Sequence, residues 1–240
     1  MKIGVFDSGI GGLNVLKELI NSYPNNIYYY YGDTKNLPYG DKDKETITRL
    51  AIKIINFFIE KKVDLIIIAC GTVSSTCFNE LKQITSIPIV DILSGTINYL
   101  NKSNLKNILV FATKRTIESH LFRNNVKKEI KEVATPEFVP MIEKDEIDNL
   151  IIKKYLNNYK DIDALVLGCT HYPILKDEFK KYLCDDVLII DMGKILVNNL
   201  NLQNSSKQEI YLYFTKIDNN LLKNVNKIIN CNYSLKKIEK

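Results

Sequence analysis

Short apolar runs return along this chain at regular intervals, and that spacing constrains the fold more than any other feature. "KIGVF" (2–6), "IYYYYG" (27–32), "DLIIIA" (64–69), "IPIVD" (87–91), "NILVFA" (107–112), "DALVLG" (163–168) and "VLIID" (187–191) are rich in β-formers and read as strands. Between them, "GLNVLKELINSY", "KETITRLAIKIINFFIEKK", "RTIESHLFRNN" and "DEIDNLIIKKYLNNY" bring apolar residues back every three or four positions, which predicts helices. Strands without a polar face must be covered on both sides, and the intervening helices supply the cover. The fold class is therefore α/β, with mainly parallel sheets flanked by helices. In such sheets ligands bind beyond the carboxyl ends of the strands.

The chain also matches itself. "DLIIIACGT" (Asp64 to Thr72) aligns position for position with "DALVLGCTH" (Asp163 to His171), each opening on Asp and placing a cysteine six residues later. "KIGVFDSG" superposes in the same order on "NILVFATK", which puts Ser8 opposite Thr113. Two ordered matches indicate a pseudo-duplication. The expectation is two similar lobes facing each other, with Cys70 and Cys169 on opposite sides of one cleft.

Composition limits what such a cleft serves. A chain of 240 residues with 45% hydrophobic content buries a sizeable core, as one large domain or two lobes. The formal net charge is +5, but the lysines (Lys42, Lys44, Lys53, Lys61, Lys62 and onward) are scattered over what reads as a solvated surface, so no nucleic-acid partner is expected. The opening "MKIGVFDSGIGG" is unlike a secretory signal, and no apolar run nears the roughly 20 residues that span a bilayer, so a cytoplasmic protein without a membrane partner is expected. Five cysteines without a CxxC pair argue against a disulfide framework or a zinc site.

Any single cysteine is more often packing than chemistry, and Cys77, Cys184 and Cys231 take that reading. Cys70 and Cys169 differ because each closes an apolar strand at the site-forming edge. His171, two residues beyond Cys169, is placed to shuttle a thiol proton, whereas His120 reads as structural. "DSGIGGLNVL" lacks the Gly-Lys-Ser/Thr ending of a phosphate loop, and Asn14 stands where a dinucleotide fingerprint needs glycine. What remains is a strand, a glycine-rich turn and a helix start whose free N–H groups suit a carboxylate, with Asp7 beside it. "YGDTKNLPYG" (Tyr31 to Gly40) is a candidate cleft wall. A carbon acid held between two thiols loses its proton to one and regains a proton from the other, which is racemisation. Hydroxyls such as Ser8, Thr72, Thr113 and Thr170 then stabilise the substrate carboxylate and the developing carbanion without a cofactor.

"IGVFDSGIGGL", "YYGDTKNLPYGDK", "IIIACGTVSS" and "VLGCTHYPIL", in this order, resemble the glutamate racemase family of cofactor-independent amino-acid racemases, and the similarity spans almost the whole chain. The resemblance implies Cys70 and Cys169 as catalytic thiols, Asp7 assisting on the first side and His171 on the second, and Asp33 and Glu143 as supporting acids. It implies substrate contacts at Asp7, Ser8, Pro38, Tyr39, Gly40, Gly71, Thr72, Thr113, Thr116, Thr170 and His171. It further implies two α/β lobes with the active site between them, the first formed by residues 1–93 completed by about 203–240 and the second by 94–202, usually as a homodimer. The substrate is L- or D-glutamate, and the D-glutamate formed feeds peptidoglycan synthesis. No cofactor or metal is implied.

Two positions depart from the family pattern. Gly71 stands where Asn commonly follows the first cysteine, and Ala112 where a glycine often precedes the threonine. Loss of the Asn amide should weaken substrate binding unless a water takes its place, so Gly71→Asn is expected to lower KM if the side chain finds room. Rival readings are a racemase of another acidic amino acid such as aspartate, an inactive two-lobed small-molecule binding protein, and a thiol hydrolase. The hydrolase gives no reason for the second cysteine.

Overall fold

A computed structural model describes residues 1–203, 205 and 207–238. Residues 204, 206, 239 and 240, part of the segment expected to complete the first lobe, lie outside the described residues. The strands are β1 (Lys2–Asp7), β2 (Ile27–Gly32), β3 (Leu65–Ile68), β4 (Ile89–Asp91), β5 (Asn107–Ala112), β6 (Glu129–Ala134), β7 (Ala164–Leu167), β8 (Leu188–Asp191), β9 (Glu209–Phe214) and β10 (Ser234–Lys237). They form two sheets, ordered β10-β9-β2-β1-β3-β4 and β6-β5-β7-β8. Every pairing among the described residues is parallel.

The duplication read from the sequence appears in this order. β2-β1-β3-β4 and β6-β5-β7-β8 repeat the same winding, and β9 with β10 extends the first sheet only. The aspartates that open the matched segments have a matched task. Asp64 accepts the N–H of Lys2 at 2.7 Å, at the start of β1, and Asp163 accepts those of Lys106 and Asn107 at 2.7 and 3.0 Å, at the start of β5. Asp91 and Asp191 likewise end β4 and β8 and cap the following helices, each accepting two backbone N–H groups.

Successive side chains of a strand point to opposite faces, and here both faces are buried. In β5, Ile108 and Val110 enter one core while Leu109 and Phe111 enter another; β3 divides Ile67 from Ile66 and Ile68 in the same way. The shared core lies between the sheets and holds Leu13, Leu16, Leu93, Leu196 and Val225 from four helices. The outer face of the first sheet is covered by helix Lys44–Glu60, that of the second by helices Phe138–Glu143 and Asn149–Leu156.

Three strands were not expected from the sequence. β6 ("EIKEVA") and β10 ("SLKK") are edge strands rich in charged residues, and β9 ("EIYLYF") is apolar but lies outside the duplicated pattern. The helix expected over "RTIESHLFRNN" is two short ones, Lys114–Glu118 and Leu121–Asn125, broken at His120 with φ 53°. The break seats Phe122, fully buried, in the shared core. Among the described residues no helix is long and apolar enough to cross a membrane.

Candidate active site

Both sheets end their duplicated strands on one cavity, of about 470 Å³ with its open mouth included. Cys70 lies just beyond β3 and Cys169 just beyond β7, and both line it. Ser8, Pro38, Tyr39, Gly40, Gly71, Thr72, Thr113, Thr170 and His171 line it as well. Asp7, Thr116, Glu143 and Asp33 are not part of this lining and stand behind it.

On the first side, the Cys70 thiol donates to the Ser8 hydroxyl at 3.5 Å and is buried at the start of helix Gly71–Lys82. Burial, then the charge of Asp7, pushes the thiol up to about 12 against the hydrogen bonds of Ser8 and the Val73 N–H. Asp7 is fully buried at the end of β1, and burial raises its pKa; the charge of His171, the N–H of Gly9 and the hydroxyl of Thr170 oppose that rise. The Thr170 contact, at 2.9 Å, crosses from the second sheet's loop to the first sheet.

On the second side, Cys169 Sγ lies 3.7 Å from His171 Nδ1, and His171 Nε2 lies 2.7 Å from Glu143 Oε1. Burial disfavours the imidazolium, yet the hydrogen bonds and charges of Cys169 and Glu143 outweigh it, and the imidazole pKa stands well above its ordinary value. The same Glu143 oxygen accepts the N–H of Ile10 at 3.3 Å. The helix start of the glycine-rich turn thus meets a carboxylate, and it is the protein's own. The glycines serve close approach: a Cβ on Gly11 would lie 2.5 Å from Thr170 Oγ1 and 2.6 Å from His171 Nδ1.

The hydroxyls expected to hold substrate form a chain. Thr72 and Thr113 lie 2.9 Å apart and Thr113 and Thr116 3.0 Å apart, oxygen to oxygen, so Thr116 reaches the cavity only through its neighbour. Asp33 does not touch the cavity. It is buried and accepts from the Tyr39 hydroxyl at 2.6 Å, from Thr215 at 2.8 Å and from the Asn36 amide, so it fixes the Pro38–Gly40 wall from behind. Leu37, within the stretch expected as cleft wall, lines the cavity, and sequence reasoning missed Asp41, Lys114, Thr135, Pro136 and Val139, which line it as well. Thr135 directly follows β6, and recognising that charged edge strand would have found it.

A family model described as Asp/Glu/Hydantoin racemase matches residues 14–200. A glutamate racemase of Fusobacterium nucleatum is 40% identical over 230 residues, covering 89% of this chain and 87% of that protein. One of Aquifex aeolicus is 40% identical over 232 residues, covering 92% and 91%. The crystal structure of glutamate racemase from Francisella tularensis in complex with D-glutamate superposes with a TM-score of 0.88 at 32% identity, over 99% of this chain and 97% of that one. Fold, ordered motifs and full-length coverage together place this chain in the Asp/Glu/Hydantoin racemase family, as an amino-acid racemase among the glutamate racemases.

Proposed function

We propose that the protein interconverts L- and D-glutamate by moving the α-proton between two sulfurs, with no cofactor. The observation that carries this reading is that Cys70 and Cys169, equivalent in the duplicated halves, line one cavity from two different sheets. Buried Cys70 carries its proton in the free enzyme, and the His171 imidazole, 3.7 Å from Cys169, is the group placed to exchange a proton with that sulfur. A thiolate removes the α-proton from one face of Cα and the electron pair spreads into the α-carboxylate. The opposite thiol then gives its proton to the other face, and the two sulfurs exchange protonation states. Asp7 and His171 assist proton movement at Cys70 and Cys169 respectively, and Glu143 orients His171. The chain of Thr72, Thr113 and Thr116 hydroxyls, with Ser8, Thr170 and the Pro38–Gly40 wall, holds the substrate carboxylates.

In this reading residues 1–93 with 203–240 form one lobe and 94–202 the other. The protein is a cytoplasmic homodimer, and its D-glutamate supplies peptidoglycan synthesis. Purified protein incubated with L-glutamate in D₂O, followed by chiral chromatography and mass analysis, tests the activity. D-glutamate carrying solvent deuterium at Cα supports it; product that keeps its α-hydrogen, preference for aspartate, or no turnover would each overturn it.

A further inference from the structure

The C-terminal part of the chain reaches the reaction centre from a distance. Helix Asn219–Ile228 connects β9 to β10 of the first sheet and buries Leu221, Val225 and Ile228 in the shared core. Its exposed side meets the turn that follows helix Phe138–Glu143, which belongs to the second sheet. There Asp145 adopts a left-handed backbone, φ 59°, a conformation that Asn, Asp and Gly tolerate best. Its carboxylate accepts from Lys223 Nζ at 2.6 Å and from Lys227 Nζ at 3.1 and 3.2 Å. The two lysines are four residues apart, one turn along the same face, so a single carboxylate holds both. From the same helix, the Asn220 amide donates to the backbone carbonyl of Glu143.

We propose that Asp145, Lys223, Lys227 and Asn220 form a clasp between the two halves of the chain that positions Glu143 on His171, and through it the imidazole on Cys169. The proposal rests on the two-thiol reading and assigns positioning residues to its second side. A lone exposed ion pair would do little, since water screens it and holding two long side chains in one geometry costs entropy. The clasp differs in three respects. Two cations share one carboxylate, a backbone carbonyl is fixed beside them, and the residue so fixed is Glu143, whose Oε1 lies 2.7 Å from the imidazole. Among the described residues, Glu143 and Cys169 hydrogen-bond the His171 ring and Asp7 acts on it by charge, so a displaced Glu143 removes one of the two hydrogen-bond partners of the imidazole. Proton transfer is sensitive to placement: a shift of about 1 Å costs as much as a hundredfold in rate.

The test uses the full chain in three variants: Asp145→Asn, which keeps the backbone and removes the charge; Lys223→Gln with Lys227→Gln; and Lys223→Arg with Lys227→Arg. The first two should lose roughly tenfold in kcat in both directions with KM within about twofold, and the arginine pair should retain wild-type rates. A readout independent of turnover is available because the chain has only two histidines. In ¹⁵N-labelled protein, the titration of His171 should move to lower pH in the neutral variants and stay in place in the arginine pair, with exposed His120 as internal reference. An unmoved His171 titration in the neutral variants overturns the clasp, whether or not activity falls. A protein that fails to racemise glutamate, but whose His171 responds as described, would sink the substrate assignment and leave the clasp standing.

Discussion

The carbonyl oxygen of Gly168 lies 3.0 Å from where a Cβ on Gly71 would stand. Each glycine adjoins a reactive cysteine, so this contact sets how closely the two thiol-bearing loops approach. The sequence suggested that Gly71→Asn lowers KM if the side chain finds room, and the structure leaves little. The obstructing atom is backbone and must give by a few tenths of an ångström, and the Gly168 N–H donates to the carbonyl oxygen of Phe111 at 2.7 Å, which resists that movement. Overpacking of this kind costs about 1–3 kcal/mol. Gly71→Asn should therefore melt earlier, lose kcat and gain nothing in KM, and Gly71→Ala should share most of the loss. A lower KM with an unchanged melting temperature would show that the loops yield freely.

A base on each face of Cα makes the two sulfurs non-interchangeable. Cys70→Ser and Cys169→Ser should each reduce racemisation by at least about a hundredfold in both directions, the lower bound for losing a general base or acid. Each variant keeps the opposite sulfur, so each should still exchange the α-hydrogen of one enantiomer with D₂O while returning it with retention. The enantiomer exchanged should differ between the two variants. Nuclear magnetic resonance of the α-proton distinguishes this from a single-base mechanism, in which one of the variants would exchange neither form.

His171 links the second side to stability. Its pKa in the folded state lies above the ordinary histidine value of 6.5, because Cys169 and Glu143 outweigh burial. A group whose pKa rises on folding stabilises the fold fully below its unfolded value, and that contribution is lost as pH rises through the folded value. The urea midpoint of the wild type should therefore decline as pH increases above about 6.5. In His171→Asn this slope should flatten, with activity lost. Parallel slopes in the two proteins would mean that the imidazole is not held protonated.

Much of the fold was legible because its strands are buried on both faces, which leaves continuous apolar runs such as "LIII" in β3 and "ALVL" in β7. The edge strands β6 and β10 carry no such run: β6 mixes Glu and Lys with its apolar residues, and Thr135 just beyond its end was missed with it. The break at His120 was hidden because tertiary packing of Phe122, rather than a glycine or proline, ends the helix. At the site, the cysteines and their neighbours could be placed from strand ends and the repeat. The hold of Thr215 on Asp33, the contact of Glu143 with the glycine-rich turn and the hold of Asn220 on Glu143 join segments far apart in sequence, and no local pattern encodes them.

Asp7 should show a trade of stability for activity. The residue is fully buried, and burial raises its pKa above the ordinary carboxylate value of 3.8 despite His171, Gly9 and Thr170. The folded state therefore prefers the neutral acid. That preference stabilises the protein fully below pH 3.8 and is lost as pH rises through the folded value, so Asp7 becomes a burden on the fold as pH rises. Asn is close to isosteric and keeps both contacts. Its oxygen accepts the Gly9 N–H, held at 2.8 Å in the wild type, and its amide donates to the Thr170 hydroxyl, which rotates to accept. What it removes is the charge and the capacity to exchange a proton beside Cys70. Asp7→Asn should thus unfold at higher urea than the wild type near pH 7, the advantage should vanish below about pH 4, and racemisation should fall roughly a hundredfold. Urea melts at both pH values, with kcat measured from each enantiomer, check the three outcomes together. A variant less stable than the wild type at neutral pH would show that the charge of His171 and the hydrogen bonds, and not burial, govern this carboxylate, and near-normal turnover would remove Asp7 from the proton path at Cys70.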